Sequence, residues 1–336
     1  MTDDAKLQKV ILGPDWIDLS FGEPKIVMDA LFRQLNRTGS KLKMPKLNDL
    51  TKWEYQPAAG KPDLVAILEK KYDARVVVCN GAKQALFGSM FALHKAGFRG
   101  IHYEKPYYPA NPSITKSVGL TWTEADKADC FLITSPNNPD GKNTPTLDIL
   151  KSWYRGPTIH DAAYYTDIYL PDGEIPLPMG HIQVFSMSKM YGLSGLRIGY
   201  AVCHSEKYYQ DMVDYIEMTT AGVSTASQDI ARNIEMFFRD NPACYKAFVS
   251  EARASIANNR KLLSQLNPDV LTVMDCQSNS MFAWCKKGPR LDSKKAKVHV
   301  LSGTLFGADD SIIRMNIAVP HEVLKEAIDR LNNESL

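Results

Sequence analysis

No two of the six cysteines stand in a CxxC spacing; Cys79, Cys130, Cys203, Cys244, Cys276 and Cys285 are scattered through 336 residues. That excludes a zinc ribbon and argues against a disulfide framework. Four of them lie in apolar runs, where a reduced cysteine behaves as a small hydrophobe, so a cytoplasmic chain with free thiols is expected. Long apolar stretches are missing too. None approaches the roughly 20 residues of a membrane span, and the opening "MTDDAKLQKVILGPDW" has no apolar stretch long enough for a signal peptide. A net charge of +2 gives no reason to expect nucleic acid or an anionic membrane as partner. The first 50 residues carry no helix-turn-helix pattern, and no repeats or low-complexity segments occur. The histidines, His94, His102 and His299 among them, have no ligand spacing, and no metal is assigned.

What is present is a composition able to bury a large core, 44% hydrophobic and 23% charged. Short apolar runs alternate with longer helical patterns, the signature of a mostly parallel sheet with crossover helices. Candidate strands are "RVVVCN" (75–80), "GIHYEK" (100–105), "DCFLITS" (129–135), "PTIHDAAY" (157–164), "IQVFSMS" (182–188) and "RIGYAVC" (197–203). "GAKQALFGSMFALHKAG" reads as an amphipathic helix opened by Gly81 and closed near Gly97. After about residue 205 two helical stretches follow, the second broken near Asn241–Pro242. Strand-like "VLTVMDC", "MFAWCK", "KVHVLSG" and "IIRMNIA" come next, and a last helix is expected over 321–333. The fold class is α/β: a three-layer large domain on a mostly parallel sheet, plus a smaller α+β domain.

In open α/β sheets ligands bind at the carboxyl ends of strands, and several polar motifs fall there. "PNNPDG" places Asn138 at a strand exit, where turn chemistry alone is the bland alternative. "HDAAYY" follows an apolar strand and carries Asp161 and Tyr164, although an acid in that position also serves as a helix cap. "VFSMSKMYGLSGLRIGYAV" (184–202) brings Ser186, Ser188, Lys189 and Arg197 into a segment that reads as interior, with nothing acidic between the two cations. An unpaired charge there is costly. "CNGAKQAL" sets Gly81, Ala82 and Lys83 at a strand-to-helix turn whose free N–H groups attract an anion. Together these groups suit one cofactor, pyridoxal 5'-phosphate. Lys189 carries its aldehyde as a Schiff base. Arg197, the two serines and the helix start meet its phosphate. Asp161 keeps its ring nitrogen protonated, and Asn138 and Tyr164 donate to its phenolic oxygen. On this reading Lys189 is neutralised and a buried Arg197 is paired.

The order and spacing of "TSPNNPDG", "IHDAAYY" and "SMSKMYGLSGLRIGYAV" resemble fold-type-I pyridoxal-phosphate enzymes of the aminotransferase class I/II group, and most closely the alliinase and tryptophan-aminotransferase-related branch. The likeness is dense over 129–228, looser over 53–112 and patchy over 280–318. The resemblance implies a large cofactor-binding domain at 25–235, with 1–24 and 236–336 forming a small substrate-closing domain. It further implies that Tyr108 stacks on the pyridine face, with Tyr107 as rival, and that Tyr55 reaches the phosphate of a neighbouring subunit in a homodimer. Arg314 in "IIRMNIA" is implied as the clamp for the substrate α-carboxylate, and Gly22 in "LSFGEP" as part of a segment over the substrate. His160 is expected to orient the Asp161 carboxylate. Lys83 stands where many relatives have a smaller polar residue, and either adds to the phosphate site or faces solvent.

The expected activity is transamination between an L-amino acid and a 2-keto acid, with Lys189 as general base at Cα. The alternative on the same scaffold is a lyase or decarboxylase. The Lys41, Lys43, Lys46 and Lys52 cluster is read as a solvated loop, or else as favouring an anionic substrate.

Overall fold

A computed structural model describes residues 13–39, 54–143, 156–171, 180–274 and 279–333. The lysine cluster at 41–52 lies outside them. In chain order the strands are β1 (Ile17–Asp18), β2 (Arg75–Cys79), β3 (Gly100–His102), β4 (Thr121–Trp122), β5 (Cys130–Thr134), β6 (Thr158–Asp161) and β7 (Ile182–Ser186), followed by β8 (Gly199–Cys203), β9 (Leu271–Val273), β10 (Phe282–Lys287), β11 (Val298–His299), β12 (Leu301–Ser302) and β13 (Ile312–Asn316).

Seven strands form one sheet in the order β2-β8-β7-β6-β5-β3-β4. β3 through β7 pair in parallel, whereas β8 runs antiparallel to both β7 and β2. β2 therefore points the same way as β7, and only β8 is reversed. Strand alternation divides the core into two layers. Val76 and Val78 face one layer with Leu64 and Leu68 of the helix Pro62–Tyr72 and Ile234 of the helix Thr225–Asp240. Val77 and Cys79 face the other, with Leu86 and Leu93 of the helix Ala82–Lys95 and Met212 and Ile216 of the helix Glu206–Thr220. The mostly parallel, three-layer arrangement read from the sequence is present.

A second, antiparallel sheet has the order β12-β13-β10-β9. Its β13 is central, with Arg314 opposite Leu301 on one side and Trp284 on the other. The N-terminal segment is tied to this sheet. β1 pairs in parallel with β11, Ile17 opposite Val298 and Asp18 opposite His299. The Asn316 amide donates from its backbone to Leu19 O (2.7 Å) and from its side chain to Phe21 O (2.7 Å) and Glu23 O (3.0 Å). Residues 19–23 are thereby drawn across the gap between the two sheets.

The expected helix break is found, with Thr225–Asp240 ending before Pro242–Leu262, and the last helix runs from His321 to Asn333. Among the strand readings that change, the one expected over 100–105 ends at His102. The strand expected over 157–164 stops at Asp161, because Ala163 N–H turns back onto Asp161 Oδ1 (3.1 Å). The one expected from 197 starts at Gly199, since Arg197 has φ 56°. "KVHVLSG" splits at Val300 into β11 and β12, which belong to different sheets. Among the described residues no helix is long and apolar enough to cross a membrane.

Candidate active site

The carboxyl ends of the parallel strands line one edge of the large sheet, and the reversal of β8 brings its beginning to the same edge. Ser186 at the end of β7 and Cys79 at the end of β2 both sit opposite Gly199, the first residue of β8. Residues following β2, β5, β6 and β7 and preceding β8 thus converge. They enclose, with the N-terminal segment and β13, a cavity of about 420 Å³.

Asp161 lies at its floor with 4% exposure. Burial raises its carboxyl to about 6, opposed by the Ala163 N–H bond and the charge of Lys189. Beside it the Tyr164 phenol is pushed above its ordinary range, again chiefly by burial. Asn138 links this pair to the opposite wall: its Nδ2 donates to Tyr164 Oη (3.4 Å), and its Oδ1 accepts from Arg314 Nη1 (2.7 Å). The Arg314 guanidinium is 4% exposed, lies 4.1 Å from the Phe282 ring centre and 4.8 Å from that of Phe306, and also donates to Ser20 O. Burial draws it down to about 10, so it remains a cation at neutral pH. Its Nε has no partner. A buried, ring-flanked guanidinium with an unused donor suits a carboxylate.

Lys189 stands in the short helix Met187–Met190 directly after β7. Tyr169 donates to its carbonyl (3.0 Å), and two residues on, Tyr191 donates to the buried Glu235 (2.9 Å), which fixes the turn from behind. The Lys189 ammonium donates to Gly22 O. Burial, then the Arg314 charge, lower it to about 8, with Glu23 acting the other way. A Cβ placed on Gly22 would come within 3.3 Å of Lys189 Nζ, so the N-terminal segment closes directly over the amine.

Next to Lys189 is an anion cradle. The helix Ala82–Lys95 begins at Gly81 (φ 79°) with no side chain capping its first N–H groups. A Cβ on Gly81 would lie 2.4 Å from Arg197 Nη2, so glycine is required there by space as well as by φ. Arg197 is held by Ser194 O (2.8 Å) and Asn80 O (3.0 Å). Ala82, Lys83, Ser186, Ser188 and Arg197 all line the cavity. Arg197 is exposed, not interior as the apolar sequence around it suggested: its left-handed backbone turns the side chain out to the rim. Lys83 is likewise an exposed rim residue.

Tyr108 lines the cavity and its rival Tyr107 does not; Tyr107 instead packs edge-on against Tyr103 at 5.3 Å. Burial, then the charge of Asp161, push the Tyr108 phenol to about 12. Tyr55 stands apart, 91% exposed. His160 does not orient Asp161; its Nε2 lies 3.2 Å from Ser135 O, and burial lowers the ring to about 4. Ser20, Phe21, Glu23, His299 and Leu301 were not singled out for the cavity wall, yet all line it. They reach it through tertiary ties of the N-terminal segment and two-residue strands, which leave no periodic signal.

The residues present suit pyridoxal phosphate. A buried carboxyl faces the cavity, a lysine of lowered pKa stands beside it, and uncapped N–H groups with an arginine form a cradle that a single Cβ would fill. Fold and cavity agree with the fold-type-I, pyridoxal-phosphate-dependent class of protein. The family model described as Allinase matches residues 66–237, and the chain belongs to that family. It is 29% identical over 280 residues to tryptophan aminotransferase-related protein 2 of Arabidopsis thaliana, covering 73% of this chain and 62% of that one. It is 32% identical over 305 residues to tryptophan aminotransferase-related protein 2 of Oryza sativa subsp. japonica, covering 77% and 59%. The match thus spans less than two thirds of either relative's length. Among solved structures, Thermus thermophilus aspartate aminotransferase with maleate superposes with TM-score 0.76 at 22% identity, covering 95% of this chain and 92% of that one.

Proposed function

We propose that the protein is a pyridoxal-phosphate-dependent aminotransferase moving an amino group from an L-amino acid to a 2-keto acid. The observation that carries this reading is the meeting of Lys189, Asp161 and Arg314 in one cavity, with Asn138 bridging Tyr164 to Arg314. Ala82 and Lys83 N–H, Ser186, Ser188 and Arg197 would hold the phosphate, Asp161 the ring nitrogen, Asn138 and Tyr164 the phenolic oxygen, and Tyr108 the ring face. Bound there, the cofactor supplies an electron sink for the pair left at Cα.

Arg314 grips the α-carboxylate and so chooses which Cα bond faces Lys189. Lowering the Lys189 pKa to about 8 makes the neutral amine, which removes the Cα proton, far more populated near pH 7–8 than that of an ordinary lysine. Asp161 in its charged form stabilises a proton on the ring nitrogen. The N-terminal segment over Lys189 restricts water. Tyr55, 91% exposed, and Met218, 66% exposed, support a homodimer in which a second copy covers them and Tyr55 completes the partner's site. The free thiols of Cys79, Cys130, Cys203 and Cys244 agree with a reducing, cytoplasmic setting.

The matched family's description favours a second reading, Cα/Cβ lyase chemistry on the same residues. One experiment separates them. Purified protein loaded with pyridoxal phosphate is followed by absorption while amino acids are added without keto acid. A single conversion to the pyridoxamine form that then stops is expected. Continuous release of pyruvate, ammonia or CO₂ with the band intact would replace the aminotransferase by a lyase or decarboxylase, and no cofactor band would overturn both.

A further inference from the structure

With the cofactor groups and the α-carboxylate clamp assigned, the polar lining that remains includes His299. It lies two residues before Leu301, which lines the same cavity and sits directly opposite Arg314. His299 is therefore the next cavity side chain beyond the carboxylate clamp. Its Nδ1 is buried and lies 3.5 Å from Asp18 Oδ1, across the β1–β11 pairing that sets the two residues opposite each other. The side chain lines the cavity and is 28% exposed. Asp18 is a fixed carboxylate. Its Oδ1 accepts from the backbone N–H (2.9 Å) and the hydroxyl (2.5 Å) of Ser20, whose carbonyl in turn accepts from Arg314. Burial pushes the Asp18 carboxyl up, but His299 and Ser20 outweigh it and hold it at about 2. One short segment thus positions both Arg314 and the carboxylate behind His299.

Resting on the amino-acid site of the preceding subsection, we infer that His299, backed by Asp18, is a specificity-determining residue that receives a second carboxylate at the far end of the substrate side chain. A distal carboxylate accepts a hydrogen bond from the His299 ring, while Arg314 takes the α-carboxylate a strand away. The other charged groups around the cavity are Glu23, Lys83, Asp161, Lys189, Arg197 and Arg314. Glu23 acts on the Lys189 ammonium, Asp161 and Arg197 belong to the cofactor groups, and Lys83 is the rival cation for the distal carboxylate.

The test compares succinate with its monocarboxylate counterpart butyrate, by calorimetric titration of the loaded protein. No turnover is needed, so a lyase outcome in the absorption experiment would sink the aminotransferase reading while this ratio is still measured on the loaded protein. Wild type is expected to prefer succinate, and His299→Leu to cut the succinate-to-butyrate ratio at least tenfold, as for loss of one charge-assisted contact, with butyrate binding unchanged. His299→Gln, which keeps a neutral donor, should fall between. A ratio unmoved in both variants, or succinate and butyrate weakening together, overturns the inference. So does a ratio that collapses in Lys83→Ala but not in His299→Leu.

Discussion

Replacing Asp161 by Asn should make the cofactor-free protein more stable at alkaline pH. The native carboxyl is raised by burial to about 6, whereas an unfolded aspartate titrates near 3.9. Between those values the native state holds a proton that the unfolded state has lost, so stability falls as pH rises through that window and the full cost is present above it. A gap of about two units, at about 1.4 kcal/mol each, amounts to about 3 kcal/mol. Asn keeps the acceptor for Ala163 N–H but buries an amide whose donors lack partners, which costs about 1–2 kcal/mol. The variant is thus expected to be about 1–2 kcal/mol more stable than wild type near pH 8 and less stable near pH 4. The difference swings by about 3 kcal/mol between the two. Urea unfolding of both proteins, stripped of cofactor, across that range reads the swing directly. A difference flat with pH, or rising toward acid, would refute the claim that Asp161 is held in a strained, desolvated state. Loading with pyridoxal phosphate should reverse the order, since a protonated ring nitrogen pairs with Asp161 and not with Asn.

Two further outcomes follow from the same geometry. Competitive acetylation of Lys189 in the cofactor-free protein should titrate with a midpoint of about 8, where an ordinary lysine lies near 10.4; an unshifted midpoint would contradict the desolvated amine. Arg314→Lys cannot present a planar fork between Phe282 and Phe306. It should weaken succinate and butyrate alike by roughly 10–100-fold, and selective loss of one would mean that Arg314 does not hold the shared carboxylate.

Much of the site was legible because chemistry followed apolar runs. Asn138, Asp161 and Lys189 each stand just past or at the end of a buried strand, and an α/β sheet places such residues on one edge. Arg314 was visible only through resemblance, since a lone arginine in "IIRMNIA" carries no spacing signal. The Phe282 and Phe306 flanks and the Ser20 carbonyl that hold it are brought in by tertiary contact. The exposure of Arg197 could not be read from its neighbours, because one residue with φ 56° reverses the side-chain direction that strand alternation predicts. Asp18 and His299 meet through a two-residue parallel bridge, too short to leave any period in the sequence.

The reversed strand β8 has a consequence for the order in which the protein becomes competent. β2 is synthesised long before β8, yet β8 is the wedge that joins it to β7. Until that wedge is in place, β2 has no partner strand to hold it in the sheet, and Arg197, which leads into β8, is not fixed against the Asn80 carbonyl beside Gly81. Capture of a phosphate-bearing ligand is therefore a report on the seating of this late strand between β2 and β7.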